Sequence, residues 1–232
     1  MAIDLTILYY TANKADNEFT IKVREQILIA AGGIPIISLS KKKMDFGTNY
    51  LDEEEKSTIT NIYRVILRGA KIATTKWIAL AEDDILYSPD HFAFRPPSED
   101  VFAYNWSKWS LYEWTNFYSL KNRNTLSALI VSRELLIEAI EERFAKYPDP
   151  IVIPERWIAG EFGRSFERQM GITQRKVFNF LTYAPLVAFS RVDAMGFGNL
   201  GYKKKAGIVR AYDIPYWGHV KDVLAKYCPK KV

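Results

Sequence analysis

The sequence is short of the residues that staple small folds and hold structural metals. It has one cysteine, Cys228, and two histidines in 232 residues. A single thiol excludes an internal disulfide, and this set of soft ligands is too small for an all-protein zinc site. No apolar run reaches the roughly 18 residues of a membrane span. The segment MAIDLTILYY lacks a basic stretch and a small-residue cleavage site, so no secretory signal is expected in it. Together these absences point to a reduced, cytoplasmic setting. No G-x-G-x-x-G follows the first apolar run, which disfavours a Rossmann dehydrogenase, and no G-x-x-x-x-G-K-[ST] supports a P-loop. Repeats, low-complexity runs and linkers are absent as well.

What is present suits a folded α/β chain. Apolar residues make up 48% and charged residues 25%, enough for one sizeable core or two small lobes. The net charge is +5, and its placement matters more than its size. Residues 193–232 hold Lys203, Lys204, Lys205, Arg210, Lys221, Lys226, Lys230 and Lys231 against Asp193, Asp213 and Asp222, so this segment carries the whole excess. An anionic ligand such as a diphosphate or a nucleic-acid backbone fits that segment. A solvated basic tail is the plainer alternative, above all for Lys230 and Lys231. Lys203–Lys205 lie between Gly201 and Gly207, in a loop suited to binding.

The apolar pattern predicts an opening β-α-β unit. Leu5–Tyr10 reads as a buried strand, Thr11–Asn13 as a polar loop, residues 18–31 as a helix closed by Gly32-Gly33, and Ile34–Leu39 as a second strand. Such an order implies a parallel sheet with right-handed crossovers. Lys41–Lys43 and Gly47 fall in a loop. Asp52 and Glu55 resemble a capping box at the head of a helix reaching about Ala73. Trp77–Ala81 is a third strand. Residues 85–125 are rich in aromatics, with Pro96-Pro97 as a break. Leu126–Val131 then predicts a strand, 133–146 a helix, 155–170 a further helix, 177–190 extended chain and 215–227 a short helix.

The most informative point is Glu82-Asp83-Asp84, three carboxylates at the end of an apolar strand. Strand alternation puts Glu82 and Asp84 on one face and Asp83 on the other. The carboxyl end of a parallel strand is where α/β sheets bind ligands. Two acids on one face repel unless something neutralises them, and Mg²⁺ or Mn²⁺ suits them, held by one or two carboxylates plus substrate phosphates. A solvated acidic turn is the alternative.

The order β-α-β-α-β followed by an acidic triplet resembles the nucleotide-sugar half of a GT-A fold glycosyltransferase, family-2-like and of the small type found in bacteria and tailed phages. The stretch Ile62–Phe94, IYRVILRGAKIATTKWIALAEDDILYSPDHFAF, carries the likeness, and FAYNWSKW extends it to about residue 110. The resemblance implies a single GT-A domain over 1–232, with a nucleotide-sugar half to about residue 95 and an acceptor half beyond it. It implies a nucleoside-diphosphate sugar as donor, a UDP-sugar before a GDP-sugar, with Mn²⁺ or Mg²⁺. Asp84 matches the metal-ligating acid of the family triplet. Glu82 matches the acid near the ribose or the metal-bound water, although the family usually has Asp there. Thr11 and Asn13 match the loop that holds the nucleotide base. His219 is the late histidine such enzymes use to complete the metal site, or else a structural histidine beside Trp217. His91, in a Pro- and Phe-rich turn, reads as structural.

Transfer also needs cations for the leaving diphosphate, and Lys204, Lys205 and Arg210 are the candidates. An inverting enzyme needs a carboxylate base, and Glu161 in WIAGEFGRSFE is the first choice, with Glu155 and Asp193 behind it. Gly160 and Gly163 beside it would let substrate approach. A first-turn helix acid is the competing account of Glu161. Trp106 and Trp109 are the candidate stacking platforms, while most other aromatics belong to core. For the acceptor, the basic segment favours a hydroxymethylated pyrimidine in DNA, flipped from the duplex, over a saccharide, a lipid-linked sugar or a small molecule. A nucleotidyltransferase and a basic nucleic-acid-binding module are the readings from other classes.

Overall fold

Leu5–Thr11 forms strand β1, buried at every position up to Tyr10. The chain then turns into helix α1 (Asn17–Ala31), whose first orphan amides are taken up by Asp16: its carboxylate accepts from the backbone N–H of Glu18 and of Phe19. Gly32 closes the helix in the left-handed conformation that a side chain would strain. Strand β2 (Ile36–Ser40) follows and lies parallel to β1. The predicted β-α-β opening is therefore the observed one. The computed structural model describes residues 3–52, 59–112, 114–120, 122–149, 151, 153, 160–190 and 207–229.

The main sheet has seven strands. Strand β3 (Thr48–Leu51) is one edge, beside β2; β4 (Trp77–Glu82) lies parallel to β1 on its other side. Then come β9 (Leu129–Ser132), β6 (Val101–Asn105) and the far edge β10 (Lys176–Phe180), in the order β10-β6-β9-β4-β1-β2-β3. Only β9 runs against its neighbours. Alternation along the strands builds two cores. Leu5, Ile7 and Tyr9 face Phe19, Val23 and Ile27 of α1. Leu8, Ile78 and Leu80 face Tyr63, Ile66 and Ala70 of α2 (Ile59–Ile72) together with Leu136 and Ile140 of α4 (Arg133–Lys146). Each buried Leu, Ile, Val or Phe among them contributes about 1.5–3 kcal/mol by leaving water, which is what commits an amphipathic helix to one face of a sheet.

A second, mixed sheet of five strands takes up the aromatic-rich stretch. Its order is β12-β8-β7-β11-β5: β12 (Arg210–Ala211), β8 (Tyr118–Leu120), β7 (Lys108–Tyr112), β11 (Leu186–Ser190) and β5 (Ile85–Leu86). The short helix α3 (Pro89–Ala93) follows β5. Near the C-terminal end, β13 (Asp213–Ile214) and β14 (Gly218–His219) form a small hairpin ahead of helix α6 (Val220–Tyr227). This is the mixed α/β architecture expected, with a mostly parallel central sheet flanked by helices. No described helix is long and apolar enough to cross a membrane.

Several local expectations change. The stretch read as a loop after β2 contains β3, a mostly exposed edge strand whose TNYL lacks an apolar alternation to announce it. Asp52 is ion-paired to Lys41 at 2.7 Å and accepts from Asn61, while Glu55, the other half of the expected capping box, lies outside the described residues. The strand expected from Leu126 begins at Leu129, after a 3-10 turn. The helix expected over 155–170 is reduced, among the described residues, to α5 (Phe166–Gln169). Gly163 at φ +84° and a set of buried side-chain bonds hold 160–165 in irregular backbone instead.

Candidate active site

The two sheets meet where β4 ends. Glu82 is the last residue of β4, Asp83 and Asp84 form the turn, and Ile85 starts β5 in the second sheet. At this junction lies a cavity of about 200 Å³ lined by Glu82, Asp84, Lys108, Arg123 and Glu161, with the hydroxyls of Ser110, Thr125, Ser127 and Ser190 between them. The predicted base and the predicted acidic pair thus share one space, brought there from the end of a strand and from a distant loop.

The acidic turn is fixed from below by tyrosines. Tyr10 is the register partner of Glu82 across the parallel β1–β4 pair, and its hydroxyl donates to Glu82 Oε1. Tyr87 accepts from the Glu82 backbone N–H at 3.1 Å and donates to the Ser127 carbonyl at 2.9 Å. Burial raises the pKa of both phenols well above the ordinary value, and the Glu82 charge adds to the effect, so both remain protonated. Asp83 points away from the cavity, as strand alternation predicts, and accepts from the Thr11 hydroxyl. Asp84 is half-buried, and its carbonyl accepts from the Phe189 N–H at 2.8 Å, which ties the turn to β11.

The cations of the cavity are Lys108 and Arg123, and neither was singled out by the sequence. Lys108 opens β7, is 5% exposed, and its Nζ donates to Thr125 Oγ1 at 2.7 Å and Ser127 Oγ at 2.9 Å. Arg123 is exposed and lines the cavity from its rim. The available signal was a lysine at the head of the strand KWSLY, a position where a charge is rarely buried without partners.

Glu161 is half-buried and pairs with Arg164 at 2.9 Å. It does not sit in the first turn of a helix, so the helix-dipole account does not apply to it. The flanking glycines do not open a path for substrate. A Cβ on Gly160 would meet the Phe166 ring at 2.0 Å, and one on Gly163 would meet Val177 Cγ2 at 2.0 Å, so both positions are filled by packing.

The other predicted residues lie elsewhere. The Thr11 hydroxyl is engaged by Asp83 and by the Asn13 N–H. Asn13, at φ +52°, accepts from the Lys42 N–H at 3.0 Å and joins the loops after β1 and β2. Neither lines the cavity. Arg210 lies over the Phe117 ring at 4.5 Å and His219 caps α6, its Nδ1 accepting from the Lys221 N–H at 3.2 Å; neither is in the lining. Lys203, Lys204, Lys205, Glu155, Asp193, Lys230 and Lys231 lie outside the described residues. His91 is a core residue, in contact with Asn105 and the rings of Tyr87 and Phe92; burial, with the Lys108 charge, pulls its pKa down to about 3 and keeps it neutral. Trp106 and Trp109 are half-buried, packed against the two cores, and the Trp106 indole donates to Asn124.

A hard divalent cation suits the donor set. Glu82 and Asp84 offer oxygen ligands in one cavity, and among the described residues no group of three or more His, Cys, Asp or Glu converges to hold a metal. Two carboxylates completed by phosphate oxygens is the mode Mg²⁺ and Mn²⁺ commonly adopt.

No protein-family model matches the sequence, and no curated protein sequence matches it significantly. Solved structures similar to the chain include a glycosyltransferase involved in the glycosylation of the major capsid of PBCV-1, at 11% identity over 79% of this chain and 91% of that one, with a TM-score of 0.48. They also include S. aureus TarS 1-349 in complex with UDP-GlcNAc (8% identity, 81% of this chain, 59% of that one, TM-score 0.47) and the inositol-1-phosphate CTP transferase from T. maritima (11%, 84%, 91%, TM-score 0.46). Likeness this shallow assigns no chemistry, which rests on the cavity's own residues.

Proposed function

We propose that the cavity moves a sugar from a nucleoside-diphosphate sugar to an acceptor hydroxyl. The observation that carries this is the meeting of Glu82, Asp84 and Glu161 with Lys108 and Arg123 around one space at the carboxyl end of β4. Transfer needs a proton acceptor on one side of the anomeric carbon and positive charge on the other, and this lining offers both. In an inverting reaction Glu161 takes the proton of the acceptor hydroxyl as its oxygen bonds to the anomeric carbon. The bond from that carbon to the phosphate oxygen breaks, and the nucleoside diphosphate leaves with the electron pair. Lys108, fixed by two hydroxyls, and Arg123 at the rim stabilise the charge that grows on it. A divalent cation held by Asp84, with Glu82 beside it, would add Lewis-acid stabilisation of the same diphosphate. The Tyr10 hydroxyl, donating to Glu82 Oε1, orients that carboxylate at the strand end.

The size of the cavity supports a divided ligand. At about 200 Å³ it is smaller than the roughly 300–1,000 Å³ of pockets that enclose a whole small molecule. It suits the reacting end of the donor, with the nucleoside outside the cavity.

The test is a thermal-shift screen of nucleotide sugars, with UDP-GlcNAc as the first probe, nucleoside diphosphates and nucleoside triphosphates, each with and without Mn²⁺. A donor at a hundredfold excess over its Kd stabilises the fold by about 2.7 kcal/mol. The expected result is a Mn²⁺-dependent shift with one class of nucleotide sugar. Transfer of the radiolabelled sugar to hydroxymethylated DNA and to simple saccharides would then choose the acceptor. Pyrophosphate release from a nucleoside triphosphate, with no shift from any nucleotide sugar, would move the assignment to nucleotidyl transfer. No shift from any nucleotide would end the enzymatic reading.

A further inference from the structure

We infer that Arg143 and Glu167, buried behind the cavity, are positioning residues for Glu161. This rests on Glu161 being the base proposed above. The two side chains are each 1% exposed and form an ion pair at 2.7 Å between α4 and α5. Neither lines the cavity. Burying a full ion pair is expensive unless further bonds complete it, so a pair kept there needs a reason beyond stability.

Its bonds supply the reason, because they converge on the loop that carries Glu161. Arg143 Nη1 donates to the Gly160 carbonyl at 2.6 Å, the residue before Glu161. Glu167 Oε2 accepts from the Gly163 N–H at 2.9 Å, two residues after it. The pair therefore grips the loop on both sides of the base. The guanidinium lies over the Phe162 ring, 4.2 Å from its centroid, and that ring also stacks nearly parallel with Phe102 at 4.4 Å. Tyr63 donates to the same Gly160 carbonyl at 2.9 Å, and Tyr104 donates to the Phe162 carbonyl at 3.2 Å. Glu167 Oε2 also accepts from the Arg175 N–H at 3.0 Å, anchoring the pair to the segment leading into β10.

Irregular backbone has no repeating ladder to hold it. Here side chains do that work: Phe162 is driven into the core, its neighbours' polar groups are satisfied by Arg143, Glu167, Tyr63 and Tyr104, and Glu161 is left as the residue that faces the cavity. A planar guanidinium is needed, because it reaches the Gly160 carbonyl and the Glu167 carboxylate at once while lying flat on a ring. An ammonium keeps the charge without that fork.

The experiment is a kinetic cycle on the full chain, using the nucleotide sugar that gives the largest shift in the screen above. The variants are Arg143→Lys, Glu167→Gln, Glu161→Gln and the double variant Arg143→Lys/Glu161→Gln, each assayed below its own melting midpoint. Misplacing a reacting group by about 1 Å costs on the order of 100-fold in rate. The expected result for Arg143→Lys is a fall in kcat of that order with the donor KM within about twofold, and faster amide exchange over residues 161–164. In the Glu161→Gln background the same change should cost nothing further, since there is no base left to misplace.

Equal losses in both backgrounds would mean that the pair acts on stability or binding, and would overturn the inference. So would normal kcat in Arg143→Lys and Glu167→Gln beside a crippled Glu161→Gln; that outcome leaves the base assignment standing. Should Glu161→Gln itself turn over normally, the base assignment fails and the positioning role fails with it, even if Arg143→Lys is slow.

Discussion

Two carboxylate-bearing segments reach the cavity by opposite routes. Glu82 and Asp84 arrive at the end of β4, a strand buried between parallel neighbours, and are held by the hydroxyl of the adjacent strand's Tyr10 and by Tyr87. Glu161 arrives on a loop without a ladder, held by Arg143, Glu167 and a stacked phenylalanine. The first segment is placed by secondary structure and trimmed by hydrogen bonds. The second, among the described residues, is held chiefly by side chains. A site built on a strand end inherits the rigidity of the sheet, whereas a site built on a loop must have its rigidity supplied by long-range contacts.

The difference can be broken from either side. The largest effect is expected in catalysis: Glu161→Gln should lower turnover about 10²- to 10⁴-fold, the usual worth of a general base, while keeping the Mn²⁺-dependent donor shift. Asp84→Asn should remove that shift instead. If the two variants show the same profile in thermal-shift and rate measurements, the division of labour between strand end and loop is wrong.

Stability comes next. Arg143→Met should destabilise by about 3–5 kcal/mol, because it strands the Glu167 charge in the core. Tyr10→Phe should cost about 1.5–3 kcal/mol, one hydrogen bond to a charged group, because the sheet still holds the strand end. Urea denaturation measures both, and a Tyr10→Phe loss equal to that of Arg143→Met would erase the contrast. Gly163→Ala probes the loop's backbone: at φ +84° and against Val177 it should cost about 1–3 kcal/mol.

The smallest effect concerns acid stability on the outer side of the loop. Burial raises the Glu142 pKa, but the bonds from Thr173 and Arg175 outweigh it and leave the carboxyl below its ordinary value. Such a group contributes stability above its unfolded pKa and loses it as pH falls through the folded one. Glu142→Gln should therefore flatten the loss of stability on acidification below about pH 4.5. An unchanged pH slope in urea titrations would show that these bonds do not carry it.

How much of this could be read beforehand follows from range. The β-α-β opening, the apolar strand that ends in Glu82, and the helix over 133–146 are written in local periodicity, and they are observed. Of the five-stranded sheet only β11 was legible, within the extended chain expected over 177–190; the other strands are two to five residues long and set among aromatics that pack on several sides, so no period emerges. The helix expected over 155–170 had helical spacing, but in its described part the buried bonds of Arg143 and Glu167 and the left-handed Gly163 outweigh local propensity. Of the cavity's lining, Glu82, Asp84 and Glu161 were singled out as candidates, because acids at a strand end and beside glycines stand out. Lys108 and Arg123 were not, since a cation shows its role only when its neighbours are known.

The sequence by itself determined that three acids follow a buried strand, that the strand belongs to a parallel α/β sheet, and that Glu161 is flanked by glycines. Those are consequences of side-chain period and residue type, which act over a few positions. Only the tertiary structure decided that the glycines serve packing, that Tyr10 secures Glu82, and that Lys108 and Glu161 share the cavity of Asp84. Sheet order and the packing of distant side chains settle such meetings, and they follow from burying two cores at once.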